Sequence, residues 1–581
     1  MNQLLYSEEK NILLMVGLLK AHGIRKVITS PGTTNITFVG SLMHDPFFQI
    51  YSSVDERSAA YMACGMAEES GEPVVLSCTG ATASRNYFPG LTEAFYRKLP
   101  ILAVTSTREE CKVGHLIDQQ IDRTQQPKDT VLCSEHLQVI KDGEDWWDCT
   151  IKINRAILAL RANGGGPAHI NLPTLYSPRF TVDTLPAVQK IDRLIYTDQF
   201  PEIGERDVSI FIGTHKLMTK EEQDAIDRFC EVYNAVVYCD ICCGYHGKYG
   251  VLMFGASNNV TTDLLIHIGE VSCSAYGCKP KEVWRISEDG ELRDTFRKLT
   301  KVFAVSELFF FSHYIDNRQN CNISKFEQSS KLEDSIYNNL QEVPFSNGWI
   351  AWYLHDKLPI NTEVHLGIVS SYFAWNRFKL HPSITIHCNQ GGFGIDGNIS
   401  TLLGASLINP TKLFFCFIGD LAFFYDMNAL GNRHLGRNIR ILLVNNGKGV
   451  IFRKPGNMGS IFKEEADIFM AAAGHFGNQS PVLVKNFAEG LGFKYMSAAT
   501  KEEFIEKAHI FTSPELTEEP ILFEVFVTTE NEILGDNIKK SGHKGLKKAV
   551  HDVVGDDIYA SIRDFILGNT RGGMTVDVGH N

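Results

Sequence analysis

Short apolar runs, each closed by a turn and separated from the next by a helical stretch, recur through the first third of this chain. An amphipathic stretch Glu8–His22 leads into Lys26–Thr29 and a Pro31-Gly32 turn, followed by Ile50–Val54, a helical Glu56–Ser70, Val74–Ser77 and Ile101–Thr105. Helices between strands return the chain so that successive strands run the same way, and the pattern predicts a parallel sheet covered on both faces. Ligands bind such sheets at the loops following the C-terminal strand ends. Pro31-Gly32 and Thr79-Gly80-Ala81-Thr82 are two of those loops.

The rhythm breaks at Pro178, Pro186 and Pro201 and resumes with Val208–Ile212, Ala235–Cys239 and Leu264–Ile268, a block without a catalytic motif. After a polar, Asn- and Ser-rich passage around 316–335, a third block starts near Phe345 and runs to about residue 530. At 581 residues the chain is too long for a single core. The expectation is an α/β protein of three doubly wound parallel-sheet domains, over 1–182, 190–335 and 345–535, with a polar tail over 536–581. The similar rhythm of the first and third blocks hints at two related sheets.

Bulk properties exclude several classes of function. A formal net charge of −12 leaves no basic stripe to neutralise a phosphate backbone, so nucleic acid is not an expected partner. The local run Lys539-Lys540…Lys544…Lys547-Lys548 reads as a solvated helix face. The 14 cysteines are scattered, which suits reduced thiols in the cytoplasm and leads us to expect no zinc site. No stretch approaches the ~20 apolar residues of a membrane span, and the N-terminus lacks a signal-peptide pattern. A small-molecule ligand and a cytoplasmic location are expected.

The third block carries the chemistry. Lys412–Ile418 reads as a buried strand ended by Gly419-Asp420, Met427–Arg433 as helix, and Ile439–Val444 as a strand ended by Asn445-Asn446. Asp420 and Asn446 thus fall at C-terminal ends of strands in one parallel sheet. Hard oxygen donors in such a crevice, with a backbone carbonyl near Lys448, suit Mg2+ carrying a diphosphate. The amides of the following helix favour phosphate oxygens at the same place. Individually, Gly-Asp and Asn-Asn are common turn or cap dipeptides. The glycine-rich Gly391-Gly392-Phe393-Gly394-Ile395-Asp396-Gly397 has the wrong spacing for a dinucleotide fingerprint.

The order and spacing of these motifs resemble thiamine-diphosphate enzymes of the 2-oxo acid decarboxylase and acetolactate synthase kind. The resemblance is nearest to the MenD group, menaquinone-pathway carboligases that transfer a succinyl unit from 2-oxoglutarate to isochorismate. It rests on Asp55-Glu56-Arg57-Ser58-Ala59-Ala60, Gly394-Ile395-Asp396-Gly397…Ser400-Thr401, Gly419-Asp420-Leu421…Tyr425-Asp426-Met427-Asn428-Ala429-Leu430 and Val444-Asn445-Asn446. The resemblance implies pyrimidine-binding, central and diphosphate-binding domains in that order, with thiamine diphosphate and Mg2+ as cofactors. Glu56 would hydrogen-bond the aminopyrimidine ring and promote loss of the thiazolium C2 proton, and Ile395 would be the apolar wedge that bends the cofactor. Further cofactor contacts would come from Thr79, Ser370, Ser371, Gly394, Gly419, Leu421 and Ala422. Asp420, Asn446 and Lys448 would hold the metal. Sites of this family form between subunits, so a homodimer or a dimer of dimers is implied. Taken alone, Glu56 could instead be a helix-start carboxylate complementing the dipole.

On the substrate side, Arg108 and Gln119 stand where the family has catalytic-site residues, with His115, Arg377 and Arg453 as further candidate contacts. Elsewhere the family's arginines are replaced: Pro31-Gly32-Thr33-Thr34 stands for Pro-Gly-Ser-Arg, Asn389-Gln390-Gly391 for Asn-Arg-Gly, and Trp375 for an arginine after Ser370-Ser371. Each lost arginine removes a bidentate carboxylate fork. The expected reaction is therefore decarboxylation of a 2-oxo acid such as pyruvate, with acyl transfer to an aldehyde or ketone, or to a proton. The alternatives are succinyl transfer of the MenD type and a cofactor-binding subunit without activity.

Overall fold

The computed structural model describes residues 5–123, 125–253, 260–315, 322–338, 343–475 and 480–535. The tail from 536 onward, with its lysine run, lies outside the described residues. The chain divides into two compact units, Met1–Glu202 with Glu282–Val305, and Ile203–Lys281 with Ser306–Asn581.

In the first unit, six parallel strands stand in the spatial order Gln49–Ser52, Lys26–Thr29, Val74–Thr79, Ile101–Thr107, Ala168–Pro173, Cys133–His136. Val74–Cys78 and Ile101–Thr107 are buried along their lengths, which is why they read as continuous apolar runs. One sheet face is covered by the helix Lys10–Ala21, whose Leu14, Val16 and Leu18 join the core. The other is covered by Glu56–Ser70 through the small residues Ala59, Ala60 and Ala63. Here Gly90 admits the helix Phe88–Arg97, since a Cβ on it would overlap Ala60. Asp192–Leu194 and residues 283–286 flank Leu299–Phe303 as further parallel strands of this unit.

In the second unit, one parallel set runs Gly250–Leu252, Val237–Cys239, Val208–Ile212, Val260–Ile268. Beside these strands is the helix Lys220–Tyr233, whose start is fixed by a reciprocal Thr219–Glu222 capping box. The polar passage near 316–335 holds a helix, Ser324–Asn338, in its described part. A second sheet has six parallel strands in the order Thr385–Cys388, Glu363–Leu366, Phe414–Gly419, Ile439–Asn445, Ile521–Phe526, Lys494–Ala498.

The two six-stranded sheets share one connectivity. In each, the first long strand is followed by an outer neighbour on one side and then by a crossover to the other side. The switch points therefore lie between Lys26–Thr29 and Val74–Thr79, and between Glu363–Leu366 and Phe414–Gly419. Ligand crevices form at such points. Among the described residues no helix is long and apolar enough to cross a membrane.

Candidate active site

At the switch point of the first sheet, the loops after two neighbouring strands touch. A Cβ on Gly32 would fall inside Thr79 Cγ2, so only glycine lets Pro31-Gly32 lie on the Thr79 loop. That loop is strained: Ala81 adopts φ 58° and ψ −133° just before the helix Thr82–Asn86. Thr33 is exposed, whereas Thr34 is buried and donates from Oγ1 to the Ser106 carbonyl at 2.7 Å. The Thr34 hydroxyl proton is thus already engaged inside the sheet.

Glu56 is the first residue of its helix and is half-buried. Capping falls to Asp55, whose Oδ1 accepts from the Arg57 and Ser58 amides at 2.8 and 3.4 Å. Glu56 is thereby left without the cap role. Burial pushes the Cys78 thiol up to about 12, and the Glu56 carboxylate adds to that rise. Glu56 thus lies within electrostatic reach of Cys78 on the strand Val74–Thr79.

Arg108 donates through Nε to the Tyr176 hydroxyl at 3.1 Å and through Nη2 to Asp118 at 3.2 Å, with its guanidinium 5.6 Å from the Tyr176 ring centroid. It lines a narrow cavity of about 10 Å³ with Gln120, Arg123, His136 and Asn171. That space holds at most about one water. Gln120, not Gln119, points here, its Oε1 accepting from Thr107 Oγ1 at 3.2 Å. Gln119 is exposed in a left-handed conformation, and His115 is exposed as well. Arg123 was not anticipated: it is 3% exposed, donates to Thr105 Oγ1 at 2.8 Å and to Asn171 Oδ1, and burial pulls its pKa down to about 10. Its only sequence signal is its place after the Gln119-Gln120 loop.

In the second unit, Asp420 begins the helix Asp420–Asp426 directly, and Met427–Gly431 continues as a 3-10 turn rather than the expected helix to Arg433. Asp420 is 3% exposed. Its Oδ1 accepts from the Leu421 amide at 2.8 Å, and its Oδ2 accepts from the Asn446 and Gly447 amides at 3.2 and 2.7 Å. Gly447 makes this turn with φ 82°. Burial nonetheless pushes the Asp420 carboxyl up to about 6, outweighing the backbone amides that pull it down.

Of the two asparagines, Asn445 is locked, donating from Nδ2 to Glu524 at 2.8 Å. Asn446 is half-buried, and its Oδ1 accepts from the Lys448 amide at 3.3 Å. The Lys448 carbonyl accepts from Val450 N at 2.9 Å and keeps a second lone pair. A carboxylate, an amide oxygen and a backbone carbonyl form an all-oxygen donor set, which fits Mg2+. Leu421 and Ala422 follow Asp420 on the helix that carries the first of these donors.

The loops after the neighbouring strands carry further expected residues. Val369, a β-branched residue at φ 69° and ψ −98°, is strained just before Ser370 and Ser371. Ser371 accepts from Asn347 Nδ2 at 3.3 Å. Ile395 is half-buried, packing against the core on one side, and Gly394 precedes it in a loop with Phe393 at φ 53°.

Three other residues expected as substrate contacts are engaged within the chain. Trp375 is fully buried with its ring centroid 4.1 Å from that of Phe417, so it is core. Gln390 is buried and donates to Asp240 at 3.5 Å, inside a cluster where Asp240 also accepts from Ser272 and Tyr372. Arg453 is paired with Asp467 and Glu464, each at 2.7 Å, and Lys448 Nζ also bonds Asp467, at 2.6 Å. Arg377 is half-buried.

Cys239 and Cys242 stand at a CxxC spacing. Both are buried with pKa values held well above the usual thiol value, Cys239 by the Cys243 hydrogen bond and burial, Cys242 by burial. Inert thiols of this kind are poor ligands.

Sheets of one connectivity, presenting Glu56 after the second strand of one and a buried Asp420 beside Asn446 in the other, place this chain among the thiamine-diphosphate-dependent enzymes. A family model described as the thiamine pyrophosphate enzyme N-terminal TPP binding domain matches residues 13–126. The chain is 32% identical to the 2-succinyl-5-enolpyruvyl-6-hydroxy-3-cyclohexene-1-carboxylate synthase of Phocaeicola vulgatus, over 91% of this chain and 97% of that one. It is 32% identical to the protein of that name from Bacteroides thetaiotaomicron (90% and 96% covered) and 28% identical to that from Flavobacterium psychrophilum (89% and 96%). The chain belongs to the 2-succinyl-5-enolpyruvyl-6-hydroxy-3-cyclohexene-1-carboxylate synthase family.

Proposed function

We propose that this chain is a cytoplasmic, homodimeric carboligase that uses thiamine diphosphate and Mg2+ to decarboxylate a 2-oxo acid and pass the acyl unit to an aldehyde or ketone, or to a proton. The observation that carries this is the buried Asp420 carboxylate at a strand end beside Asn446. When bound, the cofactor supplies a nucleophilic carbon and a sink for the electrons released with carbon dioxide. Asp420, the Asn446 side-chain oxygen and the Lys448 carbonyl would hold the metal and, through it, the diphosphate. Glu56, free of capping duty, would hold and move a proton at the pyrimidine. Ile395 would set the bend of the cofactor. Arg108 and the buried Arg123 would supply positive charge toward a carboxylate.

Support for the dimer comes from the surface beside Glu56. Val54 is 79% exposed, Tyr61 48% and Met62 41%, an apolar face that a second copy would cover. In that dimer the Glu56 half of one chain would meet the Asp420 half of its partner.

Thr34, Gln390 and Arg453 are each committed within the chain, which supports a donor with fewer carboxylates than 2-oxoglutarate. The relatives' name favours a second reading, formation of the 2-succinyl cyclohexene carboxylate product. The test is acid-quench mass spectrometry of the cofactor after mixing the Mg2+-loaded enzyme with pyruvate or 2-oxoglutarate and no acceptor. Cofactor modified by pyruvate supports the first reading, and modification by 2-oxoglutarate alone the second. Unmodified cofactor with every acid tried leaves the reading of a subunit without activity.

A further inference from the structure

On the outer strands of the second unit's six-stranded sheet, the register sets His365 directly opposite His387 and Glu363 opposite Thr385. Glu363 and His365 are two residues apart on one strand, so both project from the same face, and the parallel partner His387 projects beside His365. The two imidazole centroids are 5.0 Å apart. One ligand atom from each of Glu363, His365 and His387 lies within 4.8 Å of the others, and His387 Nε2 is 3.6 Å from Glu363 Oε2.

His365 adds an independent observation. It is 6% exposed, and among the described residues its buried Nε2 has no hydrogen-bond partner. A buried polar atom without a partner is costly and calls for an explanation. His387 is exposed and Glu363 is half-buried, so the cluster opens to solvent on one side.

We infer that Glu363, His365 and His387 form a binding site for Zn2+, distinct from the oxygen-lined site at Asp420. Two imidazoles and one carboxylate are the donors of a three-protein-ligand zinc site, the fourth position being left to water. Mg2+ takes oxygen ligands and does not compete well for imidazole nitrogen. Tetrahedral zinc needs its ligand atoms about 3.3 Å apart at ordinary bond lengths. The Glu363–His387 pair is near that already at 3.6 Å, and the exposed His387 and half-buried Glu363 are the side chains with room to adjust toward His365. Lys412 Nζ holds Glu363 Oε1 at 2.7 Å, so the metal takes the other oxygen.

Zinc here fastens the strand Thr385–Cys388, outermost among the described residues, to its neighbour Glu363–Leu366. These strands run on into the Ser370-Ser371 and Gly394-Ile395 loops.

The test uses the full chain, stripped of metal and reloaded with Mg2+ and thiamine diphosphate, titrated calorimetrically with Zn2+ and, as a spectroscopic probe, Co2+. One Zn2+ should bind per chain and raise the melting temperature. His387→Ala and Glu363→Gln, both at solvent-reached positions, should weaken binding beyond the ~10–100-fold that loss of an outer-shell partner costs. Unchanged zinc affinity in both variants, absence of zinc binding by the wild-type chain, or thiolate-to-Co2+ charge-transfer bands would overturn the inference.

Discussion

Asp420 Oδ2 accepts the backbone amide of Asn446 at 3.2 Å, although 26 positions separate the two in sequence. The contact exists because Phe414–Gly419 and Ile439–Asn445 are parallel neighbours with Gly419 opposite Val444. It fixes a carboxylate and an amide oxygen at one mouth of the sheet. Asp420→Ala should abolish Mg2+-dependent retention of thiamine diphosphate, read by calorimetry. Retention equal to wild type would remove Asp420 from the metal site.

Glu56 and Asp55 should separate cleanly by their roles. Glu56→Gln is expected to keep the cofactor and stay within ~0.5 kcal/mol of wild-type stability, while turnover falls by at least ~100-fold. Asp55→Ala should cost about 1 kcal/mol through loss of the cap. A Glu56→Gln enzyme with wild-type turnover would revive the reading of a subunit without activity.

The close approach of Gly32 to Thr79 predicts coupling. Gly32→Ala should destabilise by ~1–3 kcal/mol because its Cβ overlaps Thr79 Cγ2. Thr79→Ser, which removes that methyl, should recover part of the loss in the double variant. Strictly additive urea-denaturation energies for the two changes would contradict the contact.

His169 sets part of the acid stability of the first unit. It is fully enclosed between Thr105 Oγ1 at 2.7 Å and Ser134 Oγ at 2.9 Å, and burial, with Arg123 adding, holds its pKa well below 6.5. The folded chain thus keeps it neutral where the unfolded chain protonates it. Stability is unaffected above pH ~6.5 and falls below it, by at most ~1.4 kcal/mol per pH unit from this group. His169→Gln should therefore lose less stability between pH 7 and pH 5 than wild type in denaturant titrations. Equal losses would mean that other groups govern the acid limb.

The sequence by itself determined the two six-stranded sheets and the placing of Asp420 and Asn446 at neighbouring strand ends. Alternation of apolar strands and helices has a local physical cause, as has the placing of Gly419-Asp420 and Asn445-Asn446 at strand ends, and local patterns are written in consecutive residues. Even the second sheet's kinship with the first was legible as rhythm. Tertiary structure decided what each polar side chain meets. Thr34 is bonded to Ser106, Gln390 to Asp240 and Arg453 to Asp467, while Gln120, next to Gln119, lines the cavity beside Arg108. Arg123 gains its buried position from Thr105 and Asn171 on neighbouring strands, and Glu363, His365 and His387 meet only because two strands pair in one register. Strand order and register are set by how the whole sheet buries its faces, so a contact between strands has no spacing rule that a single segment could carry.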